Sequence, residues 1–346
     1  MHALVTNGDG TFDLKQVPIP TPGPNDVLVK VAAIAQNPTD WKTALLHQRK
    51  GNILGCDFAG TVVGIGSNVE PGLRKIGERI AAIVHGGVSP NGAFAEYVVT
   101  DATIAIPIPD DMSFEIAAQL PVACYTTCQC LYQCLNLPTP LEPTKEPIDV
   151  LVWSGTSATG QYAVQFAKAA GLRVISTASA RNIEFVKSLG ADEVFDYADS
   201  HTPRKIFAAT GGKLRHVVDC ISEGRTPNQC SMSLSKEGGT ITTLLPYTSR
   251  SKGVKTDFVL AYSIFGNPVE FPFVFPASEE HHKNAGQYAK LIAEVIAKIP
   301  IKSIPVNIFP NGLLSVADGF EYMKAGKVHA EKITYRIADT PGLSSA

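Results

Sequence analysis

A chain of 346 residues, 45% of them hydrophobic and 18% charged, has room for about two domains with cores of their own and is too apolar for disorder. With 30 Lys and Arg against 32 Asp and Glu, the net charge of -2 supplies no field to hold a polyanion, so a small molecule is expected as partner and nucleic acid is not. No window approaches the roughly 18 uninterrupted apolar residues of a membrane span, and Met1 to Lys15 lacks the basic-then-apolar order of a secretory signal, which points to a soluble cytoplasmic protein with no membrane partner.

Residues 1–115 carry short alternating strands, such as Val27 to Ala33 and Gly60 to Ile65, punctuated by Gly and Pro turns and almost free of helical period, which predicts a β-rich domain. The segment ACYTTCQCLYQCL follows and reads as helix; it holds Cys124, Cys128, Cys130 and Cys134 among the seven cysteines of the chain. No CxxC pair is present, so these thiols are read as reduced and packed, and no metal is expected. Four prolines between Pro138 and Pro147 make an extended surface loop. Strands then alternate with helices: Asp149 to Trp153, helix Gln161 to Ala170, Leu172 to Ala178, helix Asn182 to Leu189, Glu193 to Tyr197, helix Pro203 to Thr210, His216 to Cys220, helix Thr226 to Ser235, and Gly239 to Leu245. This order predicts an α/β unit with a doubly wound parallel sheet over roughly residues 120–265. A helix from about Ser278 to Ala297, strands at Ile304 to Phe309 and Lys332 to Ile337, and a helix Ser315 to Ala325 form a tail too small to stand alone, expected to pack on the β-rich domain.

A parallel sheet binds ligands at the carboxyl ends of its strands, and the loop after the first strand is the natural pyrophosphate site. Here that loop, SGTSATG, is not GxGxxG, but Gly155, Thr156, Ser157, Ala158 and Thr159 combine a flexible backbone with hydroxyl donors between a strand and a helix. At the end of the second strand an acid would hold the ribose hydroxyl of NAD and a cation the extra phosphate of NADP. The residues are Ser179, Ala180, Arg181 and Asn182; with no acid and with Arg181 and Ser179 to clasp a phosphate, they point to NADPH, a helix N-cap beside a solvated Arg being the alternative. Tyr197 closes the third strand, where an adenosine would lie; packing is its alternative role.

The whole chain resembles the medium-chain dehydrogenase/reductases, which join a GroES-like β domain to a Rossmann domain. The matching segments run in order: PGPNDVLVKVAAIAQNPTDWK from Pro22, GCDFAGTVVGIGSNV from Gly55, GERIAAIV from Gly77, GAFAEYVV from Gly92, AAQLPVACYTT from Ala117, the phosphate loop, and AGKVHAEKI from Ala325. The resemblance implies that residues 1–118 and 266–346 form the GroES-like domain and 119–265 the Rossmann domain. The zinc-dependent branch needs a Cys and a His-Glu pair where this chain has Asn37 and Cys56-Asp57, and its four-Cys lobe is missing. The AQNPTD segment, with WSGTSATG, TASARN, VFDY, the Pro-rich insertion and SIFGN, is similar to the zinc-free enoyl reductase branch and most of all to fungal trans-acting enoyl reductases of polyketide biosynthesis.

That resemblance implies conjugate reduction by NADPH of the α,β-unsaturated thioester of an intermediate bound to the acyl carrier protein of a highly reducing polyketide synthase. It places Thr39, Asp40, Trp41 and Lys42 near the nicotinamide, with Lys42 polarising the enolate or relaying a proton and Asp40 orienting its neighbours. Cofactor contacts are implied for Leu244, Leu245, His329 and Ala330. The acyl pocket is implied at Val122, Ala123, Cys124, Tyr125, Thr126, Thr127, Cys128 and Gln129 and at Ser263, Ile264, Phe265, Gly266 and Asn267. Arg49-Lys50 and Arg250, Lys252 and Lys255, all in expected loops, are candidate docking cations. His281-His282 reads as the first turn of a helix. A monomer is expected, since Pro268 and Pro272 discourage strand pairing there. A quinone or alkenal reductase and an inactive NADPH-binding structural protein are the competing functions.

Overall fold

The computed structural model describes residues 1–270 and 274–343, so Pro272 lies outside the described residues. The chain divides into two compact units: Met1–Val122 with Tyr262–Lys298 and Ser303–Ala346, and Ala123–Ala261 with Ile299–Lys302.

The first unit is built on antiparallel strands. β1 (His2–Asn7) lies between β2 (Phe12–Gln16) and β4 (Lys50–Ile53) in a small sheet. A larger sheet centres on the long β3 (Asp26–Ala35) and β5 (Asp57–Ile65), continues through β6 (Arg79–Ile83) to β8 (Ile106–Pro107), and receives β7 (Tyr97–Asp101) on β3. Val27, Val29 and Val31 alternate inward along β3, the period-2 pattern of a strand with one buried face. The tail completes this sheet, because β16 (Lys332–Arg336) pairs antiparallel with β3 while β15 (Val306–Ile308) pairs parallel with β16. Phe58, Phe94 and Ile80 share one core with Val316 and Phe320 of helix α9 (Val316–Lys324).

This unit is not free of helix. α1 (Pro38–His47) follows β3 directly, and the alternation that predicts β structure overlooks it because its start is encoded by capping rather than by apolar period. Pro38 occupies the first helical position, and Asn37 and Asp40 form a reciprocal capping box. The helix α8 (Glu279–Lys298) carries His281 and His282 in its first turn.

The second unit is a six-stranded, wholly parallel sheet in the order β11-β10-β9-β12-β13-β14. Its strands are β9 (Asp149–Trp153), β10 (Arg173–Ala178), β11 (Glu193–Asp196), β12 (His216–Asp219), β13 (Gly239–Thr243) and β14 (Val254–Phe258), with α4 (Ala158–Ala169), α5 (Ile183–Ser188), α6 (Thr202–Ala209) and α7 (Thr226–Ser233) as crossovers. Leu151, Trp153, Ile175, Val217 and Ile241 form its core. β9 is flanked by β10 on one side and β12 on the other, so the chain reverses direction across the sheet beside β9, and a ligand is expected at the carboxyl end of that strand. β14 was not anticipated from sequence: VKTDF lacks a buried run and pairs on one side only.

The Cys-rich segment is helical but not uniform. After α2 (Phe114–Ala117), α3 (Leu120–Cys128) opens into a single wide π turn over Gln129–Cys134, so Cys130 and Cys134 do not stand in α-helical register. None of the seven cysteines is in a disulfide.

Candidate active site

In the parallel-sheet unit, the loop after β9 is held by β10. Ser154 N–H donates to Thr177 Oγ1 at 2.9 Å and Gly155 N–H to the Thr177 carbonyl at 2.9 Å. Ser154 turns through φ 69°, a left-handed position, and Gly155 packs so closely that a Cβ there would stand 2.4 Å from Ser176 Oγ and 2.7 Å from Val186 Cγ1. Ser157 caps α4 by accepting from Gly160 N–H at 3.1 Å. The loop thus ends on the N-terminus of a twelve-residue helix, whose first turn has backbone N–H groups without intrahelical partners, the kind of end that can hold an anion. Thr156, Ser157 and Ala158 are half-buried and Thr159 is buried.

The other expected nucleotide residues lie on neighbouring strand ends of the same sheet. Ser179 and Asn182 are half-buried and Ala180 and Arg181 exposed, in the turn that follows β10. Tyr197, 48% exposed, donates its backbone N–H to the Ala178 carbonyl, which brings it beside that turn. Leu244 and Leu245 follow β13, and Leu244 N–H donates to Ser222 Oγ at 2.8 Å. Ser222 and Asp219 were not singled out from sequence. Asp219 is fully buried at the end of β12 and accepts from Ile221 N–H, Ser222 N–H and Thr226 Oγ1 at 2.9 to 3.0 Å, which shapes the adjoining strand end. An Asp ending a strand before Cys-Ile-Ser is the only signal the sequence carried for it.

In the β-rich unit, the capping box at the start of α1 gathers a buried polar cluster. Asn37 N–H donates to Asp40 Oδ2 at 2.6 Å, and Asn37 Nδ2 donates to Asp57 Oδ2 at 2.8 Å. Asp57 Oδ1 accepts from Val122 N–H at 2.8 Å. Lys332, buried in β16, donates to Asn37 Oδ1 at 2.5 Å and stands 3.6 Å from Asp57, so a fixed ammonium sits between the two side chains. Asp40 is 1% exposed, and burial pushes its carboxyl up to about 7 against the opposing pull of the Cys56 thiol, the Asn37 amide and the Lys332 ammonium. Tyr262 Oη reaches Thr39 Oγ1 at 2.9 Å and Cys56 Sγ at 2.8 Å. The His85 ring stacks on Tyr262 with centroids 3.6 Å apart, and burial pushes its imidazole down to about 3, so it is neutral.

The structure thus brings Thr39 and Asp40 together with four residues that sequence reasoning did not use: Cys56, His85, Tyr262 and Lys332. Trp41 and Lys42 are half-buried on the same helix, with Lys42 Nζ 5.7 Å from the centre of the Trp41 ring. His329 is exposed and Ala330 lies at φ 55° just before β16. Of the expected acyl-pocket residues, Ala123, Cys124, Tyr125, Thr126, Thr127, Cys128 and Gln129 are buried and Val122 half-buried. Ser263 and Ile264 are buried and are held to α8 by His281 Nδ1 on Ser263 Oγ and His282 Nδ1 on the Ile264 carbonyl, both 2.9 Å. Phe265 and Gly266 are half-buried and Asn267 exposed. Lys50 and Lys255 fall in strands β4 and β14 rather than in loops.

Two family profiles match the chain: "Alcohol dehydrogenase GroES-like domain" over residues 23–110 and "Zinc-binding dehydrogenase" over residues 158–260. A protein named trans-enoyl reductase ACTTS2 from Alternaria alternata is 37% identical, with 97% of this chain and 98% of that protein covered. Trans-enoyl reductase RAP1 from Pyricularia oryzae is likewise 37% identical over 97% of this chain and 98% of its own. Among solved structures, mycobacterial Rv1454c complexed with NADPH superimposes with a TM-score of 0.74 at 21% identity, covering 96% of this chain and 99% of that one.

Zinc does not fit the polar cluster despite the name of the second profile. Among the described residues no group of three or more His, Cys, Asp and Glu side chains stands together for a metal. Asn37 and Asp57 are committed to each other and to the Lys332 ammonium, and burial holds the Cys56 thiol protonated.

Proposed function

The chain belongs to the medium-chain dehydrogenase/reductase superfamily and is an enoyl reductase within it, and we propose that it reduces, with NADPH, the α,β-unsaturated thioester of a polyketide intermediate carried on an acyl carrier protein. NADPH, when bound, supplies the hydride that adds to the β-carbon; the α-carbon then takes a proton. The observation that carries this reading is the Lys332 ammonium between Asn37 and Asp57. A site whose donors are saturated by a fixed cation offers no Lewis acid to polarise an alcohol or aldehyde, whereas conjugate reduction of a thioester needs only positioning and stabilisation of the enolate oxygen.

The parallel-sheet unit supplies the nucleotide contacts in this reading. Gly155, Thr156, Ser157, Ala158 and Thr159 would hold the pyrophosphate at the start of α4, and Ser179, Ala180, Arg181 and Asn182 the 2′-phosphate. Tyr197 would lie along the adenosine. Support comes from the close approach of Gly155 to Ser176 and Val186, which fixes the loop at the start of α4, and from the exposed Arg181 in a turn without a carboxylate. Thr39, Asp40, Trp41, Lys42, Leu244, Leu245, His329 and Ala330 are assigned to the nicotinamide end, with Lys42 polarising the enolate oxygen. The α3 residues and the 263–267 turn are assigned to the acyl chain.

The test is a comparison of NADPH oxidation with a quinone, a crotonyl-pantetheine thioester and a carrier-bound enoyl chain. The expected order is carrier-bound chain, then pantetheine thioester, with the quinone slow. Strong quinone turnover without thioester reduction overturns the reading in favour of a quinone reductase, and no NADPH oxidation with any of the three points to a structural role.

A further inference from the structure

The end of β13 is finished by a side chain and not by the strand beside it. Asp219 of β12 and Thr243 of β13 are the last paired residues of the two strands. Beyond them the chain bends at Cys220 and Ile221, while the stretch after β13 runs without helix or strand from residue 244 to 253. Past the ladder, Leu244 N–H donates to the hydroxyl oxygen of Ser222 at 2.8 Å. We propose that Ser222 is a positioning residue that holds the start of this stretch for the nicotinamide end of NADPH; the proposal rests on the reading above that gives Leu244 and Leu245 that contact.

The backbone at Ser222 shows how firmly this hydroxyl is placed. Ser222 lies at φ 57°, in the left-handed region where glycine is the usual occupant and a Cβ costs conformational energy. Such a conformation persists where its surroundings over-determine it. Here Asp219 does so, fully buried at the end of β12. Ser222 N–H donates to Asp219 Oδ1 at 2.9 Å, and the Ser222 O–H donates to the Asp219 carbonyl at 2.8 Å. Asp219 Oδ1 also accepts from Ile221 N–H at 3.0 Å, and Oδ2 accepts at 2.9 Å from the hydroxyl of Thr226, the first residue of α7.

Counting hydrogens gives the bridge its direction. A serine hydroxyl has one hydrogen and two lone pairs. The hydrogen goes to the Asp219 carbonyl, so the oxygen meets β13 as an acceptor, which is what a backbone N–H requires. Glycine at 222 would relieve φ and leave Leu244 N–H without that acceptor. Alanine would lose the acceptor and keep the cost in φ. β12 is itself tied to β9 beyond the ladder, since Cys220 N–H donates to the Trp153 carbonyl at 3.2 Å. The ties therefore run from the strand that leads into the phosphate loop, through β12, to Leu244, so that the pyrophosphate and nicotinamide contacts would share one frame.

The test compares Ser222→Gly and Ser222→Ala with the wild type by calorimetry on two nucleotides, NADPH and 2′-phospho-ADP-ribose, which lacks the nicotinamide. Both variants are expected to bind NADPH roughly three- to tenfold more weakly, the effect of one lost neutral hydrogen bond, and 2′-phospho-ADP-ribose within about twofold of the wild type. In the protein without nucleotide, both should exchange the Leu244 amide hydrogen faster while the amides of β9 are unaffected. Unchanged NADPH affinity overturns the proposal, as does an equal loss for the two nucleotides, which would mean general damage to the sheet. Wild-type NADPH affinity in Ser222→Gly alone also overturns it, because the backbone conformation would then matter and the hydroxyl would not. If the wild type binds neither nucleotide, the cofactor reading is wrong, and the Leu244 exchange rate still decides whether Ser222 holds the strand end.

Discussion

Arg181 is the residue assigned to cofactor choice in the reading proposed above. It is exposed in the turn after β10, with Ser179 two residues before it and Tyr197 brought alongside by a backbone hydrogen bond to Ala178. Arg181→Ala is expected to weaken NADPH binding by about 1.5 to 3 kcal/mol, the value of a charged hydrogen bond, and to leave NADH binding nearly unchanged. Calorimetry with both nucleotides checks this, and an unchanged preference would assign the 2′-phosphate elsewhere. The place of Arg181, exposed in the turn after β10, was legible because it depends on the end of one strand alone. Lys332 was not, although it stands in the segment AGKVHAEKI: its partners Asn37 and Asp57 are nearly 300 residues away in the chain, and nothing local in the sequence of β16 marks a buried ammonium. Cys56 was read only as a missing zinc ligand, and Tyr262, one residue before the expected acyl turn, was passed over because a Tyr in an apolar segment usually packs.

At the scale of elements, α1 shows what alternation conceals. Its ten residues bury Asp40, Thr43 and Ala44 rather than an apolar stripe, so only the Asn-Pro-x-Asp cap announces it. The same cap ties the helix to proton binding. The folded carboxyl of Asp40 keeps its proton up to about 7, while in the unfolded chain it loses it near 3.8. Between those values the folded state binds more protons, so this group's contribution to stability is full below 3.8 and is lost as pH rises through about 7. Thermal unfolding followed from pH 4 to 8 should therefore show a falling component in the wild type that is absent in Asp40→Asn. Asp40→Ala, which also removes the acceptor of the Asn37 amide, should be less stable than Asp40→Asn by about 0.5 to 2 kcal/mol. A wild-type slope retained in Asp40→Asn would mean that another buried carboxyl, such as Asp57, is responsible. The parallel strands β9 to β13 were legible to within two residues, being short apolar runs between capped helices. β14 was not, since a one-sided edge strand needs no apolar run.

For the whole molecule, a net charge of -2 means that the acyl carrier protein proposed as partner would have to be recognised locally and not by a general field. Arg49 and Lys50 are exposed at the start of β4, just past the end of α1. The double substitution Arg49→Glu, Lys50→Glu is expected to raise KM for a carrier-bound substrate several-fold at low salt while leaving KM for the pantetheine thioester unchanged; equal effects on both would place docking elsewhere. No helix among the described residues is long and apolar enough to cross a membrane. The seven cysteines, none in a disulfide, finally have a meaning that packing alone does not convey. Conjugated thioesters are Michael acceptors, and thiolates are the nucleophiles that add to them most readily. Burial raises the thiols of Cys56, Cys128, Cys130, Cys220 and Cys230 far above neutrality and pushes that of the half-buried Cys134 up to about 11, so each is held as an unreactive thiol. A catalyst rich in sulfur would thereby be kept from alkylation by the conjugated thioesters proposed as its substrates.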